Sequence, residues 1–312
     1  MVMNTPAALA RGTDLLGSAE AAERAAGCDL VGEAADRDED LRAEAAGVLL
    51  ALAERERDGR VLARLAGALG RTDDGRAVPV LVTLAGHPEA EVRRQVASAL
   101  SLDEVVTGPP HAPGVRALLA LTRDPEPEVR DWATFTLGFQ CAADGPEVRA
   151  ALWERTGDEY RDAREEGVRG LARRRDPRAV PLMLDLLADP DGAAVLTFEA
   201  AEILAAPALL PLLEDYDPED HGVAEALAAC DPALRARLED EAWGLACALD
   251  RLRPDLAPAL WATRCEPGLT LGVGGGPDAP GYDVAALLAR AGGDPARAAG
   301  LVVGDHPVAA GH

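Results

Sequence analysis

Four nine-residue stretches decide the fold: VRRQVASAL at 92–100, VRDWATFTL at 129–137, AREEGVRGL at 163–171 and LTFEAAEIL at 196–204. They begin at Val92, Val129, Ala163 and Leu196, at spacings of 37, 34 and 33 residues. A second set keeps step with them: VPVLVTL at 78–84, VRALLAL at 115–121, VRAALWE at 148–154 and VPLMLDL at 180–186. Two independent segments drifting together mark a repeat. Each unit therefore holds a first helix (A), a short turn, a second helix (B) and another turn. His87-Pro88, Asp124-Pro125 and Asp189-Pro190 fall between A and B segments, and Asp176-Pro177 between a B and the next A. Asp caps helix N-termini and Pro is tolerated in the first turn.

Working outward, LRAEAAGVLLALAERE at 41–56 and VLARLAGAL at 61–69 supply an earlier A and B, and ALLPLLEDY at 208–216 and GVAEALAAC at 222–230 a later pair. One hairpin cannot bury its apolar stripe alone, whereas a row of them can. The expected fold class is all-α, an α-solenoid of stacked hairpins over 1–231. Residues 232–265, with Trp243 and Trp261, read as a C-terminal helical cap. Residues 266–312 read as a Gly/Pro-rich linker followed by two short helices broken at Gly292-Gly293-Asp294-Pro295, with frayed final residues. No strand is expected, because no alternating run rich in β-branched residues occurs.

These units resemble HEAT repeats, in particular the bacterial repeats similar to those of phycobilisome lyases. DPEPEVRDWATFTLG at 124–138 and EGVRGLARRRDPRAVPLMLDLL at 166–187 carry the likeness. The resemblance implies B helices lining a concave surface and Asp/Arg pairs forming a ladder between turns. It names no activity, since adaptors, lyases and other enzymes share the repeat.

Composition narrows the function. The 312 residues include 54 acidic and 31 basic side chains, for a net charge of −23. Every basic residue is Arg. So acidic a chain disfavours nucleic acid and anionic membrane and suits a basic partner. Five scattered cysteines without a CxxC pair, no apolar leader and no apolar run of about 18 residues point to a cytoplasmic protein with buried thiols. The five histidines show no metal spacing, so neither metal nor cofactor is expected. GVGGG at 272–276 follows no parallel strand and reads as a loop, not a dinucleotide fingerprint.

At about 100° per residue, Val129, Ala133 and Leu137 share the core side of their helix. Trp132 then lies about 100° off that direction and Phe135 about 160°. The positions aligned with Trp132 are Arg64, Gln95, Glu166 and Glu199; those aligned with Phe135 are Gly67, Ser98, Arg169 and Glu202. Most are polar, so Trp132 and Phe135 read as an aromatic patch in a wet groove. The alternative is that both rings fold against a neighbouring hairpin. Glu165, Glu166, Glu199 and Glu202 extend the face as solvated carboxylates. Arg93, Arg130 and Arg164 share one position, expected to form the ladder.

The sequence-based expectation is a non-enzymatic scaffold or adaptor. Its concave face, comprising Gln95, Ser98, Trp132, Phe135, Glu166, Arg169, Glu199 and Glu202, would hold a basic helix or peptide of another protein. Two alternatives come with the repeat resemblance. One is a bilin or tetrapyrrole lyase-like protein, with the two rings stacking on the pigment. The other is a HEAT-like DNA glycosylase, which the acidic charge opposes.

Overall fold

The computed structural model describes residues 5–189, 192–262, 269–274 and 281–306, and they fall into two compact units, 1–176 and 177–312. The first unit holds α1 (Thr5–Leu16), α2 (Ala21–Arg37), α3 (Arg42–Ala53), α4 (Gly59–Thr72), α5 (Val78–Leu84), α6 (Ala90–Ala99), α7 (Asp103–Val106), α8 (Pro113–Leu121), α9 (Pro127–Phe135), α10 (Pro146–Arg155) and α11 (Arg161–Arg173). The pairs α1/α2, α3/α4, α5/α6, α8/α9 and α10/α11 are the hairpins. The B helices α2, α4, α6, α9 and α11 pack in a row, each on the next.

Small residues set the spacing of that row. A Cβ added to Gly32 in α2 would lie 3.0 Å from the Ala68 Cα in α4, and one on Gly70 in α4 would lie 2.8 Å from the Ala99 Cα in α6. A Cβ on Gly170 in α11 would lie 2.9 Å from the Gly138 Cα, just beyond α9. Between α6 and α9 the buried Thr136 hydroxyl donates to the Ala97 carbonyl at 2.9 Å. The A side is looser. A cavity of about 670 Å³ separates α3 from α5, and one of about 490 Å³ separates α5 from α8.

Three ion-pair rungs tie successive turns. Arg24 bonds Glu56 at 2.6 and 3.1 Å, Arg93 bonds Asp124 at 2.7 and 2.9 Å, and Arg130 bonds Asp158 at 2.7 and 2.8 Å. Each guanidinium also donates to two carbonyls of its own turn: Ser18 and Ala19, His87 and Pro88, or Asp124 and Pro125. Each carboxylate accepts the N–H two residues on, from Asp58, Glu126 or Tyr160. The Glu56 carboxyl is pulled down to about 2, first by the Arg24 hydrogen bond. The rung at Arg24 and Glu56 was not expected; the other two were.

After α9 the chain makes a π-helical turn over Thr136–Gln140. Arg174 pins it. Its buried guanidinium donates to the carbonyls of Leu137, Gly138, Cys141, Ala143 and Gly170. Desolvation lowers the Arg174 pKa to about 10.

The second unit continues the pattern through α12 (Ala179–Leu187), α13 (Val195–Leu204), α14 (Leu210–Leu213) and α15 (Val223–Cys230). Then follow α16 (Pro232–Leu252), β1 (Ala259–Ala262), β2 (Leu269–Gly272), β3 (Gly281–Asp283), α17 (Val284–Arg290) and α18 (Pro295–Asp305). Two helices broken near Gly292 occur as expected. The strands correct the sequence reading. Trp261 lies on β1 rather than on a helix, and parts of the presumed linker pair as an antiparallel sheet in the order β1-β2-β3. The strands are three or four residues long, too short for an alternating signature. They are held by distant contacts, because Leu271 and Val273 join Leu245 and Leu249 of α16 and Val302 of α18 in one apolar cluster. Residues 281–306 thus dock on α16. Cys265, Pro190, His312 and Gly275-Gly276 lie outside the described residues.

Gly170→Val forces a side chain into the Gly138 backbone and should cost about 1–3 kcal/mol in denaturant unfolding. Gly47→Ala, in α3 with nothing within 4 Å of the added carbon, should instead stabilise by about 0.5–1 kcal/mol. Asp158 keeps a second guanidinium, Arg155 at 2.7 Å, when Arg130 is lost. Arg93→Met should therefore cost about 3 kcal/mol and Arg130→Met about half of that, in the same measurement.

Candidate interaction face on the B-helix row

The core register of α9 is as expected: Val129, Ala133 and Leu137 are buried. Trp132 and Phe135 are half-buried, between the two expectations of free anchor and packed ring. They meet edge to face at 5.8 Å between centroids. Phe135 stacks on Phe139 at 5.9 Å with 19° between planes. The π-turn carries Phe139 onto the same patch. Three of the chain's ten aromatic residues thus lie within eight positions.

Much of the patch is filled from within. The Arg169 guanidinium, from α11, sits 4.0 Å from the Phe139 centroid and 5.5 Å from that of Phe135, and Arg173 lies 5.3 Å from Phe139. Cation–π contact holds the planar cation there. Arg169 is in turn paired with Glu166 at 2.9 Å. Glu166 and Arg169 were expected on a solvated face. Both are buried, at 5% and 4% exposure, because each neutralises the other and the rings cover them. Glu165 is buried as well, bonded by Arg161 at 2.7 Å. The helical angle of these positions was readable; the reach of Arg169 back to α9 was not.

Gln95 donates to Glu91 at 3.1 Å and lies over Gly67, where an added Cβ would meet its Oε1 at 3.0 Å. Ser98 is half-buried on the same helix. Gln95 and Ser98 thus lie on α6, Trp132 and Phe135 on α9, and Glu166 and Arg169 on α11, helices that are neighbours in the B row. Glu199 and Glu202 belong to the second unit. There Glu202 is half-buried, and desolvation, with the charges of Glu225 and Glu199 adding to it, pushes its carboxyl up to about 7.

The exposed acidity of the first unit's face lies elsewhere than expected, and its Glu128 is 3.9 Å from Arg94. Asp131, beside Trp132, has its carboxyl pushed up to about 6 by desolvation and then by Asp162 and Glu128, against a smaller opposite pull from Arg169. Glu128 and Asp162 are exposed. Sequence alignment of the B helices pointed at the Trp132 and Phe135 columns and passed over these positions. Neither cavity lies here, since both open on the A helices. Among the described residues no three His, Cys, Asp or Glu side chains converge as a metal site, and no helix is long and apolar enough to cross a membrane. Cys28, Cys141 and Cys230 are buried, and desolvation raises each thiol, to about 12, 11 and 11.

Stacked A/B hairpins with a continuous B row define an α-solenoid. Residues 46–105 and 115–205 match the family of HEAT repeats, and the chain is a HEAT-repeat protein. It is similar to the solved structure of YibA from E. coli, with 20% identity and a TM-score of 0.54 over 74% of this chain and 82% of that one. It is also similar to the complex of CpcE and CpcF of phycocyanin lyase from a Nostoc species, at 16% identity and a TM-score of 0.48 over 77% and 89%. An engineered protein is similar at 18% identity and a TM-score of 0.49 over 80% and 77%. At these identities the shared property is the fold. No curated protein matches the sequence.

Asp131 binds its proton more tightly in the folded chain than in the unfolded one. Stability therefore falls as pH rises from about 4 to about 6 and stays lower above that. Asp131→Asn should unfold at higher denaturant than the parent at pH 7.5, by about 1–2 kcal/mol, with the difference vanishing near pH 4.

Proposed function

We propose that the chain is a protein-interaction scaffold whose B-helix face in the first unit holds a basic segment of a partner protein. The observation that supports this most is the placement of half-buried Trp132 beside Asp131, Glu128 and Asp162. An aromatic body offers apolar area at little entropic cost. Carboxylates beside it, one already raised by desolvation and then by its like-charged neighbours, gain from a partner's cation. The solvated charge of the scaffold, −23 in all, steers such a partner toward it.

Phe135, expected as an anchor beside Trp132, has a different part in this reading, which it shares with Phe139. They hold Arg169, and through it Glu166, as a rigid floor beneath Trp132. Trp132 is the contact, and Phe135, Arg169 and Glu166 are its support. Gln95 and Ser98 on α6 form the neighbouring polar edge of the same face. Glu199 and Glu202 stay out of this proposal. A scaffold role needs no bound cofactor and no catalytic side chain. The reading further takes the compartment to be the cytoplasm, in keeping with thiols buried as small apolar groups.

The test is affinity capture from native extract with quantitative mass spectrometry, followed by titration of a synthetic peptide from the captured protein. Trp132→Ala should weaken the peptide about tenfold or more. Asp131→Asn with Asp162→Asn should weaken it less and flatten its dependence on salt. Trp243→Ala, which removes a ring 66% exposed on α16, is the control and should leave binding unchanged. Equal affinity for all three would remove the proposed face.

A further inference from the structure

The A helices of the first unit present little charge for a chain of net charge −23. Residues 47–53 of α3 and 78–86 of α5 and its turn hold no charged side chain, and residues 113–122, along α8, hold one, Arg116. The two cavities lie on either side of α5. Leu50, Val80 and Leu84 line the larger, of about 670 Å³, and Val82, Ala117 and Ala120 the smaller, of about 490 Å³. The crest between them is Pro79, Thr83 and Gly86, all exposed. At about 100° per residue these three fall within about 60° of one another. The Thr83 hydroxyl donates to the Pro79 carbonyl at 2.9 Å, so covering the crest leaves that donor satisfied.

Charge says what kind of group suits this face. No carboxylate lines the smaller cavity. Arg116 lines it, is exposed, and makes no ion pair among the described residues. Arg123, just past the same helix, is instead bonded to Glu154 at 2.7 Å. The larger cavity has both signs at its edge: exposed Glu54, and Arg57, which folds back onto the Glu54 and Glu56 carbonyls. An apolar hollow beside an uncompensated cation suits an apolar side chain with a carboxylate close by. We infer that the A face at α5 docks an amphipathic helix of another protein. That helix sets two apolar side chains, seven residues apart, into the two cavities and a carboxylate, one turn beyond the smaller cavity, on Arg116.

The spacing follows from helix dimensions. Two side chains that straddle α5 must stand about 10 Å apart, the diameter of a helix with its side chains. On a partner helix rising about 1.5 Å per residue, that is about seven residues, which also returns to the same face after two turns. A second copy of this chain fits the face poorly. Its charge of −23 repels its twin, and an isologous contact sets Arg116 against the same surface, which offers it no carboxylate between residues 78 and 86. The site shares no residue with the proposed face on α9 and α11 and stands independently of it. The partners differ in chemistry too, basic on the B row and apolar with a carboxylate here.

Fluorescence anisotropy of the full chain with a labelled, alanine-based helical peptide tests this. The probe carries leucines at i and i+7 and a glutamate at i−4. Moving the second leucine to i+3 keeps the composition but removes the straddle, and should weaken binding about tenfold or more. Arg116→Glu, on an exposed side chain, should weaken the glutamate probe about tenfold and favour a probe with lysine in its place. Gly86→Trp has room at its Cβ, whose nearest neighbour lies 3.9 Å away. It should fill the smaller cavity and abolish binding while the circular dichroism stays that of the parent. Trp132→Ala should leave the probe's affinity unchanged, which separates this site from the B-row face. No binding of the i, i+7 probe, equal affinity for the two spacings, or indifference to Arg116→Glu would each overturn the proposal. So would sedimentation of the parent as a dimer that Gly86→Trp disperses, since the face would then join two copies.

Discussion

The first unit depends on how closely its B helices approach one another. Gly32 on Ala68, Gly70 on Ala99 and Gly138 on Gly170 bring backbones together at distances where no larger side chain fits. Close approach lets helices of nine to seventeen residues bury most of one side without aromatic bulk. It also makes the B row the tight side of the stack and leaves the A helices to spread, which is where both cavities open. A face built on the tight side is shallow and firm. It suits a side chain laid across it better than a small molecule enclosed by it.

The rungs act at right angles to that packing. Van der Waals contact between small residues fixes distance but resists sliding poorly. A guanidinium bound to a carboxylate in the next turn and to two carbonyls in its own fixes register as well. The two devices divide the work, and Arg174 adds a third where the π-turn leaves carbonyls without helical partners. Phe139 lies within that turn and stacks on Phe135, so the aromatic patch borders the carbonyls that Arg174 holds.

The repeat was legible because it rests on local signals: periodic apolar residues, Asp-Pro and His-Pro turns, and an arginine in a fixed place. Register within α9 could be computed from helical geometry, and the burial of Val129, Ala133 and Leu137 agrees with it. Distance along the chain limited the rest. Arg169 fills the space above Phe139 from thirty residues away, so Glu166 and Arg169 looked solvated until their partners were placed. The rung at Arg24 was missed because α1 and α2 lie before the stretch where the repeat is regular. The sheet at Ala259–Asp283 was missed because contacts with α16 and α18, and not β-propensity, hold its strands together.

The ladder has a consequence for regulation. Each rung needs a planar cation that grips four acceptors at once, a geometry that an ammonium group does not offer. The chain meets the requirement everywhere by the same means, since it contains no lysine. Acylation of lysine and the attachment of ubiquitin to it find no acceptor in these 312 residues. The cations of this scaffold are thereby closed to the enzymatic neutralisation that acts on lysine.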